Sequence, residues 1–145
     1  MVGADVSIDR LNVFVVSLTG EIVASGSEPT PSGLPGEVIR CLARLIVGLV
    51  SGAQLAGRSL LGIGVGVPGA VLDQQGLVKL APNFAWRDVA FQALLADELL
   101  SLGVSGMPIQ VQNDYDVAAL SEHEFGEAPL PDPLIYLGLG VGVGA

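Results

Sequence analysis

The first thirty residues carry apolar side chains in short, dense runs. Residues 2–8 and 11–18 are rich in β-branched and aromatic types, with Val13-Phe14-Val15-Val16 at the centre of the second run, and predict two strands. Thr19-Gly20 supplies a tight turn into a third strand over 21–27. Three strands in immediate succession predict an antiparallel meander, broken off by Pro29, Pro31, Gly33 and Pro35. The period then changes. Over 37–53 the residues Val38, Leu42, Leu45 and Leu49 recur at three- and four-residue spacing while Arg40 and Arg44 project oppositely, which predicts an amphipathic helix.

The second half alternates shorter elements. Residues 60–67 form an apolar run with interspersed glycines, closed by Pro68-Gly69, and read as a buried strand. Residues 71–80 make an excursion around Gly76, after which Asp88 is placed to cap a helix over 89–100. Pro108 introduces a buried strand over 109–112, and Asn113-Asp114 opens a helix ending near Gly126, a suitable C′ residue. A last strand is predicted over 133–137, ahead of the glycine alternation of 138–145. Crossover helices between buried strands predict an α/β layer fold, and the leading meander narrows it to a ribonuclease-H-like, actin-like ATPase lobe.

At 145 residues the chain fits one domain over 1–145, with 50% hydrophobic residues, 14% charged residues and 20 scattered glycines that exclude a disordered or low-complexity class. The apolar stretch 45–57 is flanked by Arg44 and Arg58 and is too short for a bilayer core, which takes about 20 residues. The start lacks the basic region of a signal peptide, so a cytoplasmic location with no membrane contact is expected. The single Cys41 cannot form an internal disulfide or a structural zinc site and reads as a small core residue; no metal site is expected. Six basic against fifteen acidic residues give a net charge of −9, which opposes direct nucleic-acid contact by this segment.

In open α/β sheets, ligands collect beyond the carboxyl ends of strands. Val67-Pro68-Gly69, Asn113-Asp114 and Gly140-Val141-Gly142 occupy such ends. Asn113-Asp114 is the sharpest candidate, because an amide and a carboxylate at a helix N-terminus can fix several hydroxyls of a polyol. For a solitary Asn-Asp pair, a helix cap by Asp114 is the commoner role. His123, between Glu122 and Glu124, has no nucleophile or metal partner in view and belongs on an exposed helix face. Trp86, just ahead of a predicted helix, reads as a core plug in preference to a stacking platform.

Three stretches together resemble the ROK family (repressor, open reading frame, kinase). Gly66-Val67-Pro68-Gly69-Ala70-Val71 is similar to its Gly-x-Pro-Gly-x-Val segment, and Ala81-Pro82-Asn83-Phe84-Ala85-Trp86-Arg87-Asp88-Val89 to its Ala-Pro-Asn-x-x-Trp-x-Asp-Val motif. Gln112-Asn113-Asp114-Tyr115-Asp116-Val117-Ala118-Ala119-Leu120-Ser121-Glu122 resembles its Glu-Asn-Asp-Ala-Asn-Ala-Ala-Ala-Leu-x-Glu helix start, continued by Phe125-Gly126. The resemblance implies that Asn113 and Asp114 bind sugar hydroxyls, that the turn at Gly69 lets backbone approach the sugar, and that Asn83 lies beside the same cleft. Tyr115 and Asp116 replace the usual Ala and Asn, which leaves the sugar open.

In the family's kinases the Asp is also the base for the attacking hydroxyl, and two loops hold phosphate. The first is an Asp-x-Gly-Gly-Thr turn, where this chain has Asp5-Val6-Ser7-Ile8-Asp9; the second is Gly-Thr-Gly, where it has Gly140-Val141-Gly142. Ile8 replaces a glycine, Asp9 sets a negative charge toward the anion and Val141 removes a hydroxyl, so both phosphate sites are expected to be disabled and no nucleotide cofactor is expected.

The resemblance therefore implies an amino-terminal sugar-sensing lobe of a regulator, of the xylose or N-acetylglucosamine repressor type. Its expected partners are a sugar effector, a second lobe and a helix-turn-helix domain, neither of which lies within 1–145, and a second copy in a dimer. One alternative is an ATP-dependent sugar kinase with Asp114 as base. Another is a lobe that only dimerises.

Overall fold

The computed structural model describes residues 1–31, 33–52, 59–126, 134–139 and 143–144. The meander forms as expected: β1 (Val2–Val6) runs antiparallel to β2 (Arg10–Val16), which pairs with β3 (Ile22–Pro29). Helix α1 (Pro35–Gly52) crosses to β4 (Ile63–Val67), parallel to β1. A small antiparallel sheet follows, made of β5 (Ala70–Leu72), β6 (Leu77–Ala81) and β7 (Trp86–Val89). Helix α2 (Phe91–Ser101) then leads to β8 (Ile109–Asn113), parallel to β4, and to α3 (Asp114–Phe125). The main sheet has the order β3-β2-β1-β4-β8, an α/β arrangement of the actin-like ATPase type.

Strict alternation explains the layers. Val2, Ala4 and Val6, then Leu11, Val13 and Val15, then Ile63, Val65 and Val67, all face one side, where they meet Val38, Leu42 and Ile46 of α1 and Phe91, Leu95 and Leu99 of α2 in one buried core. Helix α3 lies on the other side, against β4 and β8, and buries no residue fully. Gly66 faces it, and a Cβ there would meet the Asp114 Cα at 3.5 Å, an ordinary van der Waals contact.

Trp86 is the core plug its position suggested. It is 2% exposed, stacks on Phe84 with centroids 4.4 Å apart and donates its indole N–H to the Gly33 carbonyl at 2.7 Å. The carbonyl bond satisfies the one polar atom that its burial would otherwise strand.

The excursion over 71–80 is a strand, a single 3-10 turn (Asp73–Gln75) closed by Gly76 at φ +59°, and a second strand. Three expectations change. Asp88 does not cap α2: it lies in β7 with φ +52° and pairs with Lys79, while the N-cap position falls to Ala90, which has no side-chain acceptor to offer. Residues 134–137 are not a strand; the short pair β9 (Gly138–Leu139) and β10 (Val143–Gly144) forms after them, and 133 lies outside the described residues. Cys41 is only half-buried, its thiol donating to the Glu28 carboxylate at 3.2 Å; burial, then that carboxylate, push the thiol above its ordinary pKa. The expected end of the first helix at 53 also lies outside the described residues, and among the described helices none is long and apolar enough to cross a membrane.

Candidate functional site

Parallel strands β4 and β8 end side by side, with Val67 in register with Asn113. The chain turns sharply at both ends, and the two turns are joined by one side chain. Asn113 is the N-cap of α3: its Oδ1 accepts from the amides of Tyr115 at 2.9 Å and Asp116 at 3.1 Å. Its Nδ2 donates to the Gly69 carbonyl at 2.7 Å. The cap thus belongs to Asn113, and Asp114 is the first helical residue. The Asp114 carboxylate accepts from the adjacent Tyr115 amide, at 3.1 Å.

Gly69 is required where it stands. Its φ is +105°, and a Cβ would sit 2.2 Å from the Leu80 carbonyl oxygen and 2.8 Å from the Ala81 Cα. Gly69 is therefore pressed against the end of β6, from which Pro82–Phe84 continues as a 3-10 turn that carries Asn83, exposed and with no side-chain hydrogen bond among the described residues. A hydrogen bond joins Gly69 to Asn113, Asp114 follows Asn113 in the chain, and Asn83 lies two residues beyond Ala81, which Gly69 abuts.

Burial raises the Asp114 carboxyl above the usual carboxylate range, with the charges of Asp5 and Asp116 adding to the shift against the Tyr115 amide. Asp5, at the end of β1, is a residue that motif reading placed only in a phosphate turn. Its carboxylate accepts from Asn12 Nδ2 at 3.1 Å; Asn12 Oδ1 accepts from Ser27, and Ser27 Oγ accepts from Arg10 Nε at 2.8 Å. The signal for this chain was available, because Asp5, Asn12 and Ser27 are cross-strand neighbours on one face of the meander.

The β1–β2 turn closes on itself. Ser7 Oγ donates to the Arg10 carbonyl and accepts its amide, while Thr30 donates its hydroxyl to the Ser7 carbonyl and its amide to that of Asp9. Ile8, 37% exposed, and Asp9 project from it. Gly140-Val141-Gly142 lies outside the described residues. His123 is on the exposed face of α3 beside Glu124. Among the described residues no group of three or more His, Cys, Asp or Glu is placed to hold a metal ion. A groove between α1 and α2, lined by Gly36, Ile39, Leu94, Asp97, Glu98 and Ser101, includes none of the site residues.

The sequence profile of the ROK family matches residues 1–145. A xylose repressor of Caldicellulosiruptor bescii is 31% identical over 146 aligned residues, covering 100% of this chain and 35% of the repressor. A glucokinase of Streptomyces coelicolor is 29% identical over 143, covering 99% of this chain and 41% of the enzyme. The crystal structure of a ROK family glucokinase from Streptomyces griseus, in complex with glucose and AMPPNP, shares the fold with a TM-score of 0.76 at 28% identity, over 99% of this chain and 42% of that one. The chain spans less than half the length of each of these relatives.

Proposed function

The chain belongs to the ROK family, and on that premise we propose that it is the sugar-responsive effector lobe of a cytoplasmic transcriptional regulator. The observation that carries the proposal is the β1–β2 turn. A phosphate cradle needs small residues that let backbone N–H groups reach the anion. Here the turn presents Ile8 and the Asp9 carboxylate, and like charges at short range repel. The similarity to a xylose repressor supports the same side of the family. In this reading a sugar lies against Asp114, with Asn113, Gly69 and Asn83 around it, no cofactor takes part, and closure on a second lobe shifts the population of a DNA-binding state in a dimeric protein.

A second reading, an ATP-dependent sugar kinase, is favoured by Asp114, retained where the family's kinases place their base, and by the glucokinase relatives. An ADP-release assay on the gene product, with Mg-ATP and a panel of glucose, xylose and N-acetylglucosamine, separates the two. The expected result is no turnover; rates of about 1 to 100 per second would establish the kinase. The Ile8→Gly, Asp9→Thr double variant is expected to gain ATP affinity over the parent.

Residues 1–145 alone are expected not to bind duplex DNA at physiological salt, since a net charge of −9 works against a phosphate backbone. A fluorescence-anisotropy titration checks this. Submicromolar binding to any duplex would remove the need for a separate DNA-reading domain.

A further inference from the structure

We infer that the free edge of β3 is the surface on which a second copy of this chain docks, pairing antiparallel about a two-fold axis at Gly26 so that the two main sheets become one. This surface lies apart from the sugar site and would serve a regulator or a kinase equally. β3 is the terminal strand in the order β3-β2-β1-β4-β8, so one side of its backbone faces no other strand. The register identifies the free groups. Thr30 donates its amide to the Asp9 carbonyl, and residue pairs that exchange hydrogen bonds alternate along an antiparallel ladder with pairs that do not. Glu28, Gly26 and Ala24 therefore bond to β2 opposite Leu11, Val13 and Val15. The N–H and C=O of Ser25 and Ser27 point to the open edge and form no hydrogen bond among the described residues.

Soluble proteins blunt open edges with lysines, prolines or bulges. β3 carries no basic residue, its proline is its last residue, and its ladder irregularity falls opposite Val15/Val16, away from Ser25 and Ser27. Of the 15 acidic residues Glu28 alone lies in the strand, and it is turned toward α1, where it accepts from the Cys41 thiol. Two-fold pairing about Gly26 fits these features. Ser25 of each copy stands opposite Ser27 of the other, and each such pair exchanges both of its N–H···O=C bonds. The two Gly26 residues meet at a non-hydrogen-bonded position, where side chains approach most closely and glycine has none. Each Glu28 stands opposite Ala24 of the other copy, so the two Glu28 positions are about 14 Å apart along the strands, beyond the screening length at physiological salt. The strand is thus complementary to itself in both backbone and charge.

Sedimentation equilibrium of this chain is expected to show a 14.8 kDa monomer giving way to a dimer between about 10 and 500 micromolar. A chain that stays monomeric, or grows past a dimer, would overturn the inference, because a two-fold interface closes on itself. The net charge of −9 on each copy opposes association, so raising the NaCl concentration is expected to tighten the dimer; weakening by salt would point to an interface of ion pairs and refute the pairing. Ser25→Pro removes an N–H that β2 does not use, which an edge strand tolerates. It is expected to raise the dissociation constant about tenfold or more with the far-ultraviolet circular dichroism unchanged. Leu94→Asp, in the groove between α1 and α2, is the control and should leave the dimer intact. Loss of the dimer in Leu94→Asp but not in Ser25→Pro would move the interface to that groove and refute the β3 edge.

Gly26→Cys in a Cys41→Ser background tests the axis. Opposed residues at such a position have Cα atoms about 4.5 Å apart, within disulfide range. The added Cβ finds the methyl ends of Leu45 and Leu49 at 3.1 to 3.3 Å, which flexible side chains can relieve. Oxidised glutathione is expected to link this variant into a covalent dimer, and a dimer that stays unlinked would refute the axis at Gly26. Should the variant fail to fold, Ser25→Pro decides. In the gene product, hydrogen exchange at the Ser25 and Ser27 amides is expected to slow as the concentration rises. Protection of these amides in a monomeric gene product would assign the edge to another segment of the same molecule and overturn the docking.

Discussion

Gly69→Ala is expected to destabilise the chain by roughly 3 kcal/mol or more, the sum of two independent penalties. The first is conformational. At φ +105° an L-residue lies outside its allowed regions, a strain of about 1 to 3 kcal/mol. The second is steric. The added Cβ would lie 2.2 Å from the Leu80 oxygen and 2.8 Å from the Ala81 Cα, and both are backbone atoms that cannot rotate away. Relief requires β5 and β6 to part at their Ala70–Leu80 pairing or the Asn113–Gly69 bond to break. Gly64→Ala is the control, because nothing lies within 4 Å of a Cβ there; a change within about 1 kcal/mol is expected. Urea denaturation of both variants measures the difference. A loss below about 1 kcal/mol at Gly69 would mean that the corner relaxes freely and does not constrain the site.

The main sheet was legible because its strands are long enough to show their period. β1, β2 and β4 alternate or run apolar over five to seven residues, and α1 repeats its apolar face through four turns. The small sheet was not legible, since β5, β6 and β7 are three to five residues long and their burial follows from tertiary contact with the core. Asp88 misled for a specific reason. An Asp just before an apolar helical run is a normal capping signal, yet here its carboxylate pairs with Lys79 across the β6–β7 hairpin and its backbone is left-handed.

The geometry of the candidate site was partly legible. Strand reading placed Gly69, Asn113 and Asp114 at strand ends, and the family resemblance placed Asn83 beside the same cleft, but spacing does not say which of two adjacent Asx residues caps the helix. Geometry assigns the cap to Asn113, which stands in extended conformation at the end of β8. Nor does spacing reveal the Asn113–Gly69 bond, a contact 44 residues apart in sequence. The chain from Asp5 through Asn12 and Ser27 to Arg10 follows from strand register and emerges only once the meander's pairing is fixed.

Asp114→Asn is expected to stabilise the fold at neutral pH while weakening sugar binding, a pair of opposite effects that separates a binding carboxylate from a structural one. Burial, with Asp5 and Asp116 nearby, raises the Asp114 pKa in the folded state, so its ionised form is disfavoured there relative to the unfolded chain. Above the folded-state pKa that penalty is fully present. Below the unfolded value both states are protonated and it vanishes, so lowering the pH stabilises the fold as far as this group is concerned. Asn carries no charge at any pH and keeps an oxygen for the Tyr115 amide, from which Asp114 accepts at 3.1 Å. The variant should therefore exceed the parent in stability at pH 7 and converge with it near about pH 3, as read by urea denaturation at both values. Binding moves the other way. Replacing an ionised acceptor by an amide removes charge-assisted hydrogen bonds from sugar hydroxyls and is expected to lower affinity by roughly 1 to 3 kcal/mol in the gene product. A variant that is less stable than the parent at neutral pH, with sugar affinity unchanged, would assign Asp114 to the helix terminus alone.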